Sequence, residues 1–384
     1  MAGMKKVLVA ALVAAFAAFI GHRILKLQQI LANREVTVKH LKCHYLKNIE
    51  YGAEDITILR DGLAFLSTGL KYSVLPSFSD EPGKIYILDL LHPKPTPVEL
   101  QIKGDLDLSS FNPHGISVYT DEADDSVYLF VVNHPQNKSQ VEVFHFVQEN
   151  TLVHLKTITH PLLHRHVLYN KPFAVSHILH RTIYTFISFI ISISVNDIVA
   201  VGVENFYASN DRFFLNDALQ FLSIFLGVPF CQVVYYSPKE VRVAADGISS
   251  ANGINISPDK QYIYVSDIID REVDIFERRE EEQLVYLKSV AVGSLCDNID
   301  VDHRTGDLWL GCHPNSMKLS KYDPEDPPGS EIIRIKDIHS EQPVVSQEYV
   351  DNGHVLQAST IAAPYEGKLL IGTAFHKALC CDLK

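Results

Sequence analysis

The stretch NGINISPDKQYIYVSDIIDREVDIFERR, residues 252–279, contains a unit that recurs along the chain. It begins with a polar residue, Asn252, and continues with a short apolar segment, a Pro-Asp turn and further segments rich in β-branched and aromatic residues. Short apolar runs separated by turn dipeptides indicate antiparallel β-strands. The unit therefore predicts consecutive strands that start at a polar side chain.

Five other places show the same pattern of a polar start, an apolar strand, a turn and a second strand. The six starts are Glu54-Asp55, His114, Asn196-Asp197, Asn252, Asp297-Asn298 and Ser359, and their first residues are separated by 60, 82, 56, 45 and 62 positions. A repeat of about 40 to 50 residues with four strands is typical of a β-propeller, whose innermost strands begin at a central channel. We therefore predict an all-β, six-bladed β-propeller in which these starts converge on one axis.

The interval of 82 residues is longer than the others because it contains residues 165–194. This segment is basic and histidine-rich at first and then densely β-branched and apolar. Removing about 28 residues would restore the repeat, so we predict an insertion. An added strand, a loop that touches a membrane and an error in the gene sequence all fit its composition.

The charge limits the possible functions. The chain of 384 residues has 34 Lys and Arg against 46 Asp and Glu, a formal net charge of −12. This charge repels phosphate backbones and argues against nucleic-acid binding through a basic surface. The excess of carboxylates instead favours cation sites.

The N-terminus has the order of a secretory signal, with Lys5-Lys6 before an apolar run at 7–21. The run is short for a bilayer span, which needs about 20 apolar residues. It continues into residues 22–33, where apolar side chains recur at helical spacing. We predict a retained signal-anchor and amphipathic helix over 1–35, followed by one propeller over 36–384, in the secretory pathway. An ordinary cleaved signal is the alternative.

The cysteines argue for a disulfide and against a zinc module. They lie at positions 43, 231, 296, 312, 380 and 381, with no CxxC pair and no His at zinc-ligand spacing. The secretory route permits a disulfide, and the best candidate joins Cys43 to Cys381 or Cys380. The other three lie in apolar stretches and are expected to be buried thiols.

The polar residues at the predicted blade starts form an oxygen-rich set: Glu54, Asp55, His114, Asn196, Asp197, Asn252, Asp297 and Asn298. Oxygen donors without thiolates suit a hard cation that takes about six to eight oxygens, and calcium fits best. Adjacent residues on a strand point in opposite directions, so one member of a pair could face the channel mouth and the other point deeper. That permits two calcium ions. The alternative is that these residues only form turns.

Two histidines, His114 in FNPHGISV and His134 in VVNHPQN, stand apart from the rest. An imidazole with a pKa near about 6.5 can take a proton from water at neutral pH, and a pair can pass it on. Structural roles are the alternative. For glycosylation, Asn137-Lys-Ser is the credible sequon, since Asn255-Ile-Ser lies in a predicted strand.

Several motifs resemble those of the paraoxonases, a family of calcium-dependent lactonases and arylesterases. The motifs are GAED (52–55), DGLAF (61–65), SSFNPHGIS (109–117), VVNHP (131–135), NDIVAVG (196–202), VVYYSP (233–238), ANGINISPD (251–259), GDLWLGCHPN (306–315) and GKLLIGTA (367–374). The resemblance covers nearly the whole chain except 165–194. It implies a six-bladed propeller with two calcium ions in the tunnel, a retained N-terminal helix, and one disulfide between the first and last blades.

The resemblance also implies roles for individual residues. The catalytic calcium would be held by Glu54, Asn196, Asn252, Asp297 and Asn298, and the structural calcium by Asp55, Asp197 and the backbone carbonyl of Ile116. His114 matches the general base and His134 its partner. The active-site wall would contain Lys71, Tyr72, Asp211 and His313.

The cysteines and one wall position extend this resemblance and depart from it. Cys43 and Cys381 match the disulfide, Cys312 matches a free cysteine, and Cys380 is an extra thiol. Arg212 stands where the family usually has His.

We therefore expect hydrolysis of lipophilic lactones and aryl esters, with promiscuous organophosphate hydrolysis as a possible side activity. Calcium would stabilise the oxyanion and His114, relayed by His134, would activate water. A competing mechanism uses Asp297 as nucleophile. The alternative function is a binding propeller with purely structural calcium, which docks on lipoprotein or membrane through 22–33 and 213–226. The oligomeric state is left open.

Overall fold

The computed structural model describes residues 2–31, 36–72, 75–147, 150–178, 181–214 and 217–383. Within these ranges, the side chains of 2–4, 137, 165–193, 213–218, 316 and 320 are not described. The helices are α1 (Ala2–Leu31), α2 (Asp217–Leu226) and α3 (Ser316–Ser320), with short 3-10 turns at Leu108–Ser110, Pro135–Asn137 and Glu280–Glu282.

The strands, numbered along the chain, form six sheets, which we call blades 1 to 6. After β1 (Lys42–Tyr45), blade 1 contains β2 (Asp55–Ile58), β3 (Leu63–Thr68), β4 (Lys84–Asp89) and β5 (Val98–Glu99). Blade 2 contains β6 (Gln101–Lys103), β7 (Pro113–Thr120), β8 (Val127–Asn133), β9 (Gln140–Val147) and β10 (Thr151–Ile158). Blade 3 contains β11 (His164–Ile178), β12 (Arg181–Ala200), β13 (Phe206–Phe214), β14 (Cys231–Tyr236) and β15 (Val241–Ile248).

The second half of the ring has shorter, more regular blades. Blade 4 contains β16 (Ala251–Ile256), β17 (Tyr262–Asp267), β18 (Glu272–Arg278) and β19 (Leu284–Ala291). Blade 5 contains β20 (Leu295–Val301), β21 (Leu308–His313), β22 (Ser330–Lys336) and β23 (Val344–Asp351). Blade 6 contains β24 (Ser359–Tyr365), β25 (Lys368–Thr373) and β26 (Leu379–Asp382), with β1 as its outer strand.

The prediction of a six-bladed propeller is confirmed. The inner strands are β2, β7, β12, β16, β20 and β24, and they carry or directly follow the six polar starts. Buried apolar clusters fill the spaces between neighbouring blades, for example Phe65, Ile85 and Leu129 between blades 1 and 2. Each blade exposes apolar side chains on both faces, which only two neighbours together can cover. The ring therefore closes around a tunnel.

Blade 6 closes the ring by combining both ends of the chain. Strand β1 pairs antiparallel with β26, and Cys43 lies directly opposite Cys381. These two cysteines form a disulfide that spans 338 residues of sequence. The partner of Cys43, which the residues alone left open between two neighbours, is Cys381. Cys380 is a buried free thiol.

The expectation that Cys296 and Cys312 are free thiols is wrong. They are disulfide-bonded, and only Cys231 and Cys380 are free among the described cysteines. The reason is strand register: β20 and β21 are adjacent antiparallel strands that place Cys296 directly opposite Cys312. Two apolar stretches give no hint of this pairing until the register is known.

The segment 165–194 lies in the hairpin of β11 and β12. The backbone pairs from His164 opposite Ser194 to Ile178 opposite Arg181. Strand β12 then runs on without a break into the inner strand that carries Asn196 and Asp197. The hairpin is thus joined directly to a blade start.

The helices α1 and α2 contact each other at one end of the propeller. Arg23 on α1 donates from Nε to the carbonyl of Phe225 (2.6 Å) and from Nη2 to that of Ile224 (2.7 Å). Lys26 forms an ion pair with Asp270. Residues 5–31 form a helix that is long and apolar enough to cross a membrane, a criterion that the signal of a secreted protein also meets.

Candidate active site

The predicted site residues meet at one end of the tunnel, in a cavity of about 230 Å³. Every blade contributes to its lining: Glu54, His114, Asn196, Asp211, Asn252, Asp297 and Thr360. A larger cavity of about 520 Å³ is lined by Arg60, Tyr119 and Lys260 among others, and contains none of the predicted site residues. The chemistry therefore concentrates in the smaller cavity.

Four predicted calcium ligands share an unusual state. Each has a buried oxygen without a hydrogen-bond partner among the described residues: Glu54 Oε2, Asn196 Oδ1, Asn252 Oδ1 and Asn298 Oδ1. We call these residues the mouth layer. A buried polar atom without a partner costs about 1–3 kcal/mol, and native proteins rarely leave such atoms unsatisfied. A hard cation would satisfy several at once.

The mouth layer is held by contacts between blades. Asn298 on blade 5 donates from Nδ2 to the carbonyl of Glu54 (2.9 Å) and to its Oε1 (3.0 Å). Thr360 on blade 6 donates to the same carbonyl (2.6 Å). These bonds leave Asn298 Oδ1 and Glu54 Oε2 without a partner among the described residues.

The described residues contain no cluster of three His, Cys, Asp or Glu side chains arranged to hold a metal ion. Three of the four mouth-layer residues are asparagines, whose amide oxygens are not among those side chains. Oxygen donors of mixed charge are what calcium accepts. The residues present therefore fit a calcium ion.

The adjacent carboxylates Asp55 and Asp197 form a second layer, which we call the deep layer. They line a cavity of about 90 Å³ further along the tunnel. Asp55 accepts from the backbone N–H of Ile56 (2.8 Å) and of Ile116 on the next blade (2.7 Å). Asp197 accepts from Ile198 (2.7 Å) and from Ile254 on the next blade (2.8 Å). Each carboxylate thus ties two blades together.

Charge accumulates in the deep layer. Burial and then the Glu54 charge raise the pKa of Asp55 to about 8. Burial and then the Asp55 charge raise the pKa of Asp197 well above its ordinary value. Without a cation nearby, the folded protein therefore favours binding a proton to this pair.

Asp300 is a further buried carboxylate that the sequence reasoning missed. It lines the deep cavity, and burial raises its pKa to about 7. The available signal was its position two residues after Asn298, because alternate residues of a strand share a face. Ile116, which was predicted to provide a carbonyl oxygen, donates its N–H to Asp55.

The two predicted histidines are in contact. His114 Nδ1 lies 3.0 Å from His134 Nε2, and His114 Nε2 lies 3.4 Å from Glu54 Oε1. The other nitrogen of His134, Nδ1, lies 3.1 Å from Ser139 Oγ, which in turn contacts Ser194 Oγ at 3.1 Å. No local pattern in the sequence marks the two serines as members of this chain of contacts.

The two imidazoles differ in their affinity for a proton. Burial lowers the pKa of His114, but the nearby Glu54 carboxylate outweighs burial, so the pKa is raised above 6.5. Burial and then the neighbouring His114 lower the pKa of His134 well below 6.5. A proton on the pair therefore resides on His114, the ring that lines the cavity.

Three of the four predicted wall residues line the cavity. Tyr72 donates from its hydroxyl to Asp211 Oδ2 (2.9 Å), and His313 Nε2 lies 2.9 Å from Asp297 Oδ2. Lys71 is not among the described lining residues. Its ammonium group donates to the carbonyl of Glu81, while its backbone N–H donates to Asn112 Oδ1 (2.7 Å). The predicted glycan site, Asn137, ends a 3-10 turn, and its side chain lies outside the described side chains.

Comparisons with known proteins follow from this geometry. The sequence profile of the arylesterase family matches residues 35–168 and 181–383, which leaves out 169–180 within the hairpin of β11 and β12. The chain is 50% identical over 384 residues to serum paraoxonase/arylesterase 2 of Gallus gallus, covering 99% of this chain and 100% of that protein.

Two human relatives are similar over most of their length. Identity is 49% over 356 residues to serum paraoxonase/arylesterase 1, covering 92% of each chain. It is 46% over 359 residues to serum paraoxonase/lactonase 3, covering 93% of each. Among solved structures, a luciferin-regenerating enzyme is similar in fold, with a TM-score of 0.51, 12% identity, and 89% of this chain and 95% of that chain covered.

Proposed function

The chain belongs to the arylesterase family and is a hydrolase of esters and lactones; we propose that calcium at the tunnel mouth and the pair of His114 and His134 carry out this reaction. The preferred substrates are lipophilic lactones and aryl esters, with organophosphates as a side activity. The observation that supports this best is the mouth layer, where buried oxygens from three blades lack partners among the described residues.

The catalytic calcium is held by the mouth layer together with Asp297. Asp297 lines the same cavity and is oriented by His313. When bound there, calcium supplies a Lewis acid that polarises the ester carbonyl and stabilises the negative charge that develops on its oxygen.

A second calcium is held by the deep layer of Asp55 and Asp197, with the carbonyl of Ile116. The raised pKa values of both carboxylates support this assignment, because a divalent cation would replace the bound proton and relieve the repulsion. Its role is structural, since the same carboxylates bridge neighbouring blades.

His114 removes the proton from the attacking water at Nε2, the nitrogen that faces Glu54 in the cavity. His134 is a positioning residue that contacts Nδ1 of His114 and is itself held by Ser139. General-base catalysis of this kind contributes about 10²- to 10⁴-fold.

The decisive experiment measures lactone and aryl-ester hydrolysis by the full chain with calcium and with a chelator. We expect chelation to abolish hydrolysis before the protein unfolds, because the mouth layer can empty while the deep layer stays filled. If hydrolysis and folded structure are lost together at every chelator concentration, the metal has a structural role only and the binding propeller is favoured.

The same assay separates the two candidate mechanisms. We expect His114→Gln to lower kcat by about 10²- to 10⁴-fold without loss of bound calcium. If His114→Gln keeps full turnover while Asp297→Ala abolishes it with calcium still bound, Asp297 acts as nucleophile and the histidine mechanism is excluded.

The protein is secreted or membrane-associated, as its relatives and its apolar N-terminal helix indicate. Our proposal is that α1 is retained and that α1 and α2 together rest on a lipoprotein or membrane surface. The exposed side chains of Phe221, Leu222 and Leu226 on α2 support this. Mass spectrometry of the mature N-terminus tests retention, and the same spectra report whether Asn137 carries a glycan.

A further inference from the structure

Arg212 on β13 lies in the wall of the tunnel-mouth cavity. It is the single Arg or Lys among the described lining residues, whereas Glu54, Asp211 and Asp297 contribute carboxylates. Adjacent residues of a regular strand point to opposite faces, yet Asp211 and Arg212 both line this cavity. The pairing of β12 with β13 shifts register on both sides of Ser194, the residue opposite Arg212. Such irregularities re-aim side chains next to active sites.

The guanidinium group is located close to the histidine pair but not in contact with it. Its central carbon lies 5.5 Å from the centre of the Tyr72 ring, a cation–π contact. That ring lies 5.3 Å from the ring of His114 and 5.8 Å from the ring of His134. The Tyr72 hydroxyl is held by Asp211. Arg212 is therefore separated from the reacting centre by one fixed aromatic ring.

This position suits a part of the substrate away from the scissile bond. The chain has a net charge of −12, and carboxylates line the cavity, so an anionic substrate would otherwise be repelled. A guanidinium group binds a carboxylate through two parallel hydrogen bonds, which an ammonium group cannot do. We propose that Arg212 is a specificity residue that selects esters and lactones carrying a remote carboxylate. The inference rests on the proposed esterase and lactonase function and adds a substrate class to it.

A structural role for Arg212 is the main competing explanation. Arg212 and the hydroxyl of Tyr72 oppose the effect of burial on the pKa of Asp211, which remains raised. If neutralising Asp211 were its only task, removal of the charge would affect neutral and anionic substrates equally. The ratio of the two activities therefore distinguishes the roles.

The test uses a γ-lactone with a side-chain carboxylate and the same lactone with a primary amide in its place. The ratio of kcat/KM for the acid to kcat/KM for the amide is measured in the wild type, Arg212→Gln, Arg212→Lys and Arg304→Gln. A charge-assisted hydrogen bond predicts that Arg212→Gln lowers this ratio by about 10- to 100-fold. Most of the change should appear in KM, because the carboxylate binds equally in the ground and transition states. Arg212→Lys should lose less, since the charge remains.

Arg304→Gln is the matched control. Arg304 is an exposed arginine that lies 3.9 Å from Asp302, so its substitution changes the net charge equally without touching the cavity. We expect its ratio to equal that of the wild type. An unchanged ratio in Arg212→Gln, or an equal fall in Arg304→Gln, overturns the inference while the amide lactone still reports the proposed function. If the wild type hydrolyses neither lactone, the proposed function itself fails.

Discussion

The mouth layer and the deep layer of the tunnel are built from adjacent residues but are in opposite states. Glu54 and Asp55 are neighbours, as are Asn196 and Asp197. The mouth-layer members keep buried oxygens without partners among the described residues, whereas the deep-layer carboxylates accept two backbone hydrogen bonds each. Neighbouring positions on one strand can therefore serve separate tasks, with one left open for an ion and substrate and the other committed to holding blades together.

Asp197→Ala should have the largest effect of the variants that break this contrast. It removes two hydrogen bonds from a charged acceptor, one of them between blades, and should destabilise the calcium-loaded protein by about 3–5 kcal/mol. The neighbouring variant Asn196→Ala should lower hydrolysis strongly and change stability much less. Denaturant unfolding with excess calcium measures both. Equal destabilisation by the two variants would remove the distinction between the layers.

The second prediction concerns the disulfide beside the mouth layer. Cys296 precedes Asp297, and Cys312 precedes His313, so the bond joins the two strands that hold this hydrogen-bonded pair. Replacing both cysteines by Ala should destabilise the protein by about 2–3 kcal/mol, since the bond closes a short loop. It should also raise the calcium concentration needed for half-maximal activity. Unchanged calcium dependence would mean that the disulfide stabilises the blade without positioning the site.

The deep layer predicts a pH dependence that appears only without calcium. Because the pKa of Asp55 is raised to about 8, the folded protein binds a proton that the unfolded chain releases near about pH 4. Stability of the chelated protein should thus fall as the pH rises from about 4 to 8 and level off above it, by about 1–2 kcal/mol. Thermal unfolding of the wild type and Asp55→Asn should show the slope in the wild type alone. A slope of equal size in both proteins would assign it to other groups.

The hairpin of β11 and β12 should have the smallest effect on the tunnel. The family profile passes from residue 168 to 181, and we propose that the hairpin tip is an insertion outside the site. Tyr169 and Phe189 are paired, so an Asn-Gly turn can replace residues 170–188 between them. Hydrolysis should stay within about twofold of the wild type, because surface loops tolerate changes of length. A large loss would show that β12 needs its long partner to place Asn196.

The fold and the two layers could be predicted because they depend on a recurrent local pattern. Polar starts such as Asn252 recur at propeller spacing, and each repeat predicts its own strand. The disulfide of Cys296 and Cys312, the contact of Ser139 with His134 and the orientation of Lys71 could not be predicted. Each depends on register or on loop path between segments that carry no mutual signal in one sequence.

The shared sixth blade sets an order on the synthesis of this molecule. Its outer strand leaves the ribosome among the first fifty residues, whereas the three strands that receive it lie in the last twenty-six. At about 5–20 residues per second, an emerging chain must wait many seconds with five blades and an open edge. Joining Cys43 to Cys381 is therefore a final, post-translational act, and an oxidising compartment is where it can be completed.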